Sequence, residues 1–253
     1  MIEIKNLKVS YGSEVVLQLE SLDLEAGKIT AIVGLNGSGK STLLKSIVGI
    51  KDYEGSVLIN GKQTSKLGHK KRATFVSYLP QIFPAANMDI ITLVSHGRFP
   101  YLGYSKNLGK EDLELVEKAL QITDLWEIRE KSLLEISGGE RQRACLAMVI
   151  AQNTKFILLD EPATYMDIKH QIEIMDVLKK LADEGRGIIF SSHDLPQSFS
   201  VCDKVCLLKK GELVAVGQPD ILVADYKKMR AAMGVCLQKN ESECAVYRFN
   251  LCK

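Results

Sequence analysis

The sequence predicts an α/β fold: antiparallel strands with one strand-to-helix unit at the start, a helical block inserted in the middle, then a return to buried parallel strands. Three observations carry this reading. From Ile2 to Ile59 short apolar segments alternate with turns, and from Ile90 to Gln152 the apolar period lengthens to that of helices. Phe156–Leu159 and Gly187–Phe190 are short continuous apolar runs, the kind a parallel sheet buries on both faces. Composition agrees with it. The chain has 253 residues, 46% apolar and 25% charged, a globular balance with enough length for a substantial core. Its 33 basic and 31 acidic side chains leave a net charge of +2, which argues against a strongly basic surface and hence against a nucleic-acid partner.

Taken in order, Ile2/Ile4, Val15–Leu17, Leu22/Leu24, Ile29–Val33 and Val57–Ile59 are strand segments, and Asn60-Gly61 supplies the positive φ angles of a tight hairpin. One helix interrupts them, from Lys40 to about Val48, with Leu43, Leu44, Ile47 and Val48 on one face. In the helical block the clearest stripe is Leu113, Val116 and Leu120, preceded by Glu111-Asp112 where a helix N-terminus favours negative charge. The two buried strands that follow are separated by a helix over Ile168–Glu184. These breaks predict a single domain with a core lobe, residues 1–85 and 153–253, and an inserted helical subdomain of about 86–152. Residues Lys239 to Glu243 read as part of a polar tail. Six scattered cysteines, Cys145, Cys202, Cys206, Cys236, Cys244 and Cys252, show neither a disulfide pattern nor zinc-ligand spacing and read as reduced thiols. Apolar stretches such as Cys145–Ile150 fall far short of the roughly 20 residues that span a bilayer, and Met1–Lys5 begins no signal peptide, so a cytosolic chain is expected.

The strongest chemical signal is Gly34-Leu35-Asn36-Gly37-Ser38-Gly39-Lys40-Ser41-Thr42, a G-x-x-x-x-G-K-[ST] loop between a predicted strand and a predicted helix. Glycines let backbone N–H groups converge on phosphate oxygens, and the helix beginning near Gly39 adds its positive end. Lys40 then neutralises the β and γ phosphates, the Ser41 hydroxyl joins an Mg²⁺ shell, and Thr42 is a further phosphate donor. Asp160 and Glu161 end the buried run Phe156–Leu159, at the strand edge where such sheets bind ligands. Asp160 is the candidate for holding Mg²⁺ through water, and Glu161 the candidate base for the attacking water. Ser137-Gly138-Gly139-Glu140 has the spacing of a capping box, which needs no ligand. Its two glycines, however, each cost up to about 1 kcal/mol in a helix, which points to close approach of another group, a phosphate being the natural one.

With these residues in place, the chain resembles the nucleotide-binding subunit of an ATP-binding cassette (ABC) transporter, over essentially its whole length. The loop, Ser137-Gly138-Gly139-Glu140, Asp160-Glu161 and Ser191-Ser192-His193-Asp194 stand in that family's order and approximate spacing. Ile136 and Glu140 depart mildly, where leucine and glutamine are commoner. The resemblance implies a P-loop NTPase (RecA-like) core within the ABC ATPase fold, ATP and Mg²⁺ as ligands, and further roles. Tyr11 would stack on adenine. Gln81, after Val76-Ser77-Tyr78-Leu79-Pro80, would touch Mg²⁺ and link the site to a membrane partner. His193 would sense the γ-phosphate, and Asp167 would cross a dimer interface; His69, His96 and His170 have no assigned part.

It also implies a head-to-tail dimer of two copies, each ATP lying between one copy's phosphate loop and the other's Ser137. That dimer would dock on a separate permease at the cytoplasmic face of the cell membrane, served indirectly by a solute-binding protein. A finer resemblance is to importers of iron siderophores, haem and cobalamin, through Gly97-Arg98-Phe99-Pro100-Tyr101 and Tyr165-Met166-Asp167-Ile168-Lys169-His170-Gln171. A soluble ATPase of iron–sulfur cluster assembly is the alternative; a DNA-repair or translation protein is disfavoured, since long coiled-coil insertions, a second cassette and a basic stripe are all lacking.

Overall fold

The computed structural model describes residues 1–83, 86–103, 107–163, 166–224, 235–240 and 246–251. Its opening strands are β1 (Ile2–Tyr11), β2 (Glu14–Leu24) and β3 (Ile29–Val33), followed by α1 (Lys40–Ile47). Next come β4 (Glu54–Ile59), β5 (Lys62–Gln63), the single turn α2 (His69–Arg72) and β6 (Val76–Leu79). Three helices then run in succession, α3 (Ile90–Ser95), α4 (Lys110–Ile122) and α5 (Gly138–Ala151). The chain returns through β7 (Phe156–Asp160), α6 (Ile168–Asp183), β8 (Gly187–Ser192), α7 (Leu195–Val201), β9 (Lys204–Lys209), β10 (Glu212–Gly217) and α8 (Pro219–Ala224). The last described strands are β11 (Val235–Asn240) and β12 (Val246–Leu251).

Ten strands form one mixed sheet in the order β5-β4-β1-β2-β10-β9-β3-β8-β7-β6. Its first part is antiparallel where β1 pairs with β2 and β4, and Asn60 and Gly61, with φ of 51° and 73°, turn β4 into β5 as the hairpin signal predicts. From β9 through β3, β8 and β7 to β6 every pairing is parallel. β3, β7 and β8 are buried at every residue, which is why their sequences run apolar without alternation.

Because successive side chains of a strand point to opposite faces, β7 feeds two cores. Phe156 and Leu158 join a cluster with Leu43, Leu44 and Ile47 of α1 and with the inward residues of β1, β2 and β4. Ile157 and Leu159 join the other, which runs on without a break into the buried residues of α3, α4, α5 and α6. The helices between β6 and β7 are therefore bound to the sheet through shared apolar packing.

Two details depart from the sequence reading. Leu113 is 51% exposed, because the buried face of α4 is confined to its later turns, at Val116, Ala119 and Leu120. The supposed polar tail contains two paired strands, with Val235 opposite Leu251. The polar Gln238–Asn240 within the first strand hides it, whereas the second, with Val246, Tyr247 and Phe249, carries strand-forming residues. Cys244 and Cys252 lie outside the described residues, while Cys145 and Cys206 are buried thiols whose pKa is pushed by burial up to about 12.

Candidate active site

Parallel register aligns the ends of three neighbouring strands: Val33 stands beside Ser192, and Asp160 beside Ser191. The chain therefore leaves β3 at Gly34, β7 at Glu161 and β8 at His193 along one edge, where a doubly wound sheet offers a crevice. A cleft of about 1260 Å³ opens there, walled by the whole loop from Leu35 to Thr42 and by Tyr11, Gln81, Glu161 and His193.

The loop is shaped for an anion. Gly37 has φ +76°, and a Cβ there would meet nothing within 4 Å, so the backbone at this point faces open space. Gly39 is the N-cap of α1, whose first N–H groups have no partner within the helix. Ser38 Oγ is buried without a hydrogen-bond partner among the described residues. Lys40 is 5% exposed and donates to the carbonyls of Gly34 at 2.9 Å and Leu35 at 3.2 Å. Burial pulls its pKa down, and the charges of Glu161 and Asp160 oppose that. An ammonium held on neutral carbonyls with little water gains strongly from an anionic phosphate.

Asp160 is 2% exposed and ringed by hydroxyls. Ser41 donates to its Oδ1 at 2.9 Å, Ser191 to the same oxygen at 2.6 Å, and Tyr78 to Oδ2 at 3.2 Å. Glu161, just past the strand, has φ +50°, a left-handed conformation that costs a non-glycine residue roughly 1–2 kcal/mol and turns its carboxylate into the cleft. Its N–H donates to Ser191 Oγ at 2.9 Å. Glu161 Oε2 accepts from Gln81 Nε2 at 3.0 Å and lies 3.4 Å from His193 Nδ1, while Oε1 lies 4.0 Å from Lys40 Nζ. Among the described residues no three His, Cys, Asp or Glu side chains gather as a metal cage. A hydroxyl, a carboxylate and an amide beside a phosphate loop instead fit Mg²⁺, which keeps several waters and takes few protein ligands.

Tyr11 lines the cleft and is 53% exposed, and Lys51 Nζ stands 3.6 Å from its ring centroid. Ser137, Gly138, Gly139, Glu140 and Asp167 do not line the cleft. Ser137 caps α5, its Oγ accepting from Glu140 N at 3.2 Å, while Ser137 N donates to Glu140 Oε2 at 2.8 Å. Hydrogen bonds to its carboxylate from the side chain and N–H of Ser137 hold Glu140 below its ordinary range. A Cβ on Gly138 would meet nothing within 4 Å. Asp167 caps α6, accepting from His170 N at 3.0 Å, with His170 Nδ1 2.8 Å from the same oxygen, and the His170 N–H holds its pKa low. The His170 ring packs against Gly139, joining the two helix starts. Tyr165 lies outside the described residues.

Sequence reasoning gave no role to two side chains that organise this site, Tyr78 and Ser191. Each is a polar residue in a short buried strand, three places before Gln81 and two before His193, and that placement was the available signal.

A mixed sheet with a phosphate loop after β3 and two differently placed carboxylates at the end of β7 defines a P-loop ATPase. The chain belongs to the ABC transporter family, whose description matches residues 17–164, and it binds ATP as an ATPase of that family. It is 40% identical over 227 residues to the petrobactin import ATP-binding protein YclP of Bacillus subtilis, covering 88% of this chain and 89% of that protein. It is 37% identical over 227 residues to the iron(3+)-hydroxamate import ATP-binding protein FhuC of the same organism, covering 86% and 84%. With the ferric enterobactin transport ATP-binding protein FepC of Escherichia coli the figure is 35% over 222 residues, covering 87% and 82%. Among solved structures, the dimeric post-hydrolysis ATP-binding cassette MJ0796 with ADP and Pi superposes with a TM-score of 0.76 at 27% identity, covering 87% of this chain and 99% of that one.

Proposed function

We propose that this chain is the ATP-hydrolysing subunit of an importer of iron–siderophore chelates or of a related metal chelate such as haem or cobalamin. The observation that carries hydrolysis is the placing of Glu161, whose carboxylate lines the cleft among Lys40, Gln81 and His193. The cargo class rests on the relatives, named for importing petrobactin, ferric hydroxamates and ferric enterobactin. Those names weigh against the iron–sulfur assembly alternative.

In this reading the loop Gly34–Thr42 binds the phosphates through backbone N–H groups, and Lys40 leaves its two carbonyls for the β and γ oxygens. Ser41, Asp160 and Gln81 are the residues that would hold Mg²⁺. When bound, that ion neutralises phosphate charge and aligns the terminal phosphate. Glu161 accepts the proton of the attacking water, or orients it, and His193 contacts the γ-phosphate. Tyr11 stacks on the base once Lys51 moves aside.

Ser137, Gly138, Gly139, Glu140 and Asp167, which do not line their own cleft, serve the ATP of a second copy in a head-to-tail dimer; MJ0796, a structural neighbour, is a dimer. No helix among the described residues is long and apolar enough to cross a membrane, and this reading assigns passage through it to a permease. Ile82, 78% exposed, lies within the segment from Gln81 to Arg98 and Phe99, 55% exposed, follows it, and this surface, at the entry to the inserted helices of about 86–152, receives a short cytoplasmic helix of that permease. The protein then sits at the cytoplasmic side of the cell membrane. The test is co-reconstitution with the permease in vesicles: uptake of a ferric siderophore that needs Mg-ATP is expected with the wild type and is lost with Glu161→Gln. Uptake that is indifferent to this chain would overturn the proposal.

A further inference from the structure

Strand β6 serves both carboxylates at the end of β7. Pairing in parallel, Tyr78 beside Leu158 and Leu79 beside Leu159, it runs alongside β7 toward the cleft. Its Tyr78 hydroxyl donates to Asp160 Oδ2 at 3.2 Å, and three residues on, past Pro80, Gln81 donates to Glu161 Oε2 at 3.0 Å. The opposite oxygen of Asp160 accepts from Ser41 and Ser191. A carboxylate with donors on both oxygens is fixed in rotation about its own axis; with donors on Oδ1 alone it is not. Ser41 is one of those donors, and its hydroxyl oxygen keeps lone pairs for a cation while its hydrogen stays on Asp160.

We propose that Tyr78 is a positioning residue for the cation site: its hydroxyl holds the Asp160 carboxylate in the orientation that binds a divalent ion, and so ties that site to the strand carrying Gln81. The proposal rests on reading the cleft as an Mg-ATP site and goes beyond it, since nothing in that reading requires a hydroxyl at position 78. Partners of this kind, which orient a metal ligand without touching the metal, typically change metal affinity by about tenfold or more. Phenylalanine keeps the ring, its packing and the strand, and removes the one group at issue.

The experiment compares wild type and Tyr78→Phe in three titrations: a fluorescent ATP analogue in excess EDTA, the same analogue with Mn²⁺, and Mn²⁺ by electron paramagnetic resonance with saturating ADP. The expected result is equal metal-free nucleotide affinity and Mn²⁺ binding weakened by roughly tenfold in the variant. Tyr78→Leu, which also loses the ring, should weaken Mn²⁺ binding at least as much. Equal Mn²⁺ affinity in Tyr78→Phe and wild type would overturn the proposal while leaving the cleft's reading intact. So would an equal loss of nucleotide binding with and without metal, which would make Tyr78 a packing residue. A wild-type protein whose nucleotide binding ignores Mn²⁺ would overturn the underlying reading and this inference with it.

Discussion

The cleft beyond β3, β7 and β8 and the face formed by the starts of α5 and α6 are built on opposite plans. In the cleft, charged groups are buried and answer one another: Lys40 and Asp160 are almost inaccessible, and Ser191 serves both Asp160 and Glu161. On the other face the capping groups are satisfied within one helical turn, Ser137 with Glu140 and Asp167 with His170, and the glycine at 138 looks into open space. The first region gathers the phosphate loop, both acids and His193 within one chain. The second is stable without a ligand and can act only on something brought to it, which is the physical content of the dimer proposal.

The sharpest way to break this contrast is at Lys40. Replacing it by alanine removes a charge-assisted contact to the transferred phosphate, worth several kcal/mol, so turnover should fall on the order of a thousandfold in a folded protein. Near wild-type phosphate release from that variant would mean that the cleft is not where ATP reacts. Next in size, Ser137→Arg should leave nucleotide binding by the cleft of its own chain intact but abolish turnover by the dimer. Mixing it with Lys40→Ala restores one intact composite site per mixed dimer, so measurable hydrolysis should return; silence of the mixture would contradict the division of labour. The smallest effect concerns Glu140. Its pKa is depressed in the folded state by Ser137, so its contribution to stability is present above the ordinary value of 4.5 and lost as pH falls through the lower folded value. The difference in Tm between wild type and Glu140→Gln should therefore be present at pH 7 and vanish in acid, as differential scanning calorimetry would show.

The same contrast separates what the sequence discloses from what it hides. The phosphate loop is legible because its chemistry is local: consecutive residues make the glycine turn, the lysine and the helix start. Asp160 and Glu161 are legible because a buried apolar run must end somewhere, and two acids at that end need a reason. Tyr78 and Ser191 were missed because their meaning lies in parallel register between strands some 80 and 30 positions apart from their partners, which no local pattern encodes. Gly97 and Arg98 were noticed for their resemblance, but their work is structural. A Cβ on Gly97 would stand 2.2 Å from the Met148 carbonyl, and Arg98 caps the end of α5 at Ala151 and Gln152 while pairing with Asp112 at 2.8 Å. Leu113 was misplaced because helical periodicity reports a face but not how far along that face the core extends.

The central claim, that the cleft of one chain meets the capped helix starts of another across ATP, is tested most directly with Glu161→Gln in size-exclusion chromatography with and without Mg-ATP. The substitution keeps the shape of the side chain and leaves Lys40, Ser41, Asp160 and Ser137 untouched while removing the proton acceptor. The expected result is a monomer alone that becomes a dimer with Mg-ATP and persists as one, with phosphate release reduced to a trace, since nucleotide bound by both copies stabilises their association by mass action. A variant that binds Mg-ATP, fails to hydrolyse it and still elutes as a monomer at saturating nucleotide would contradict the claim.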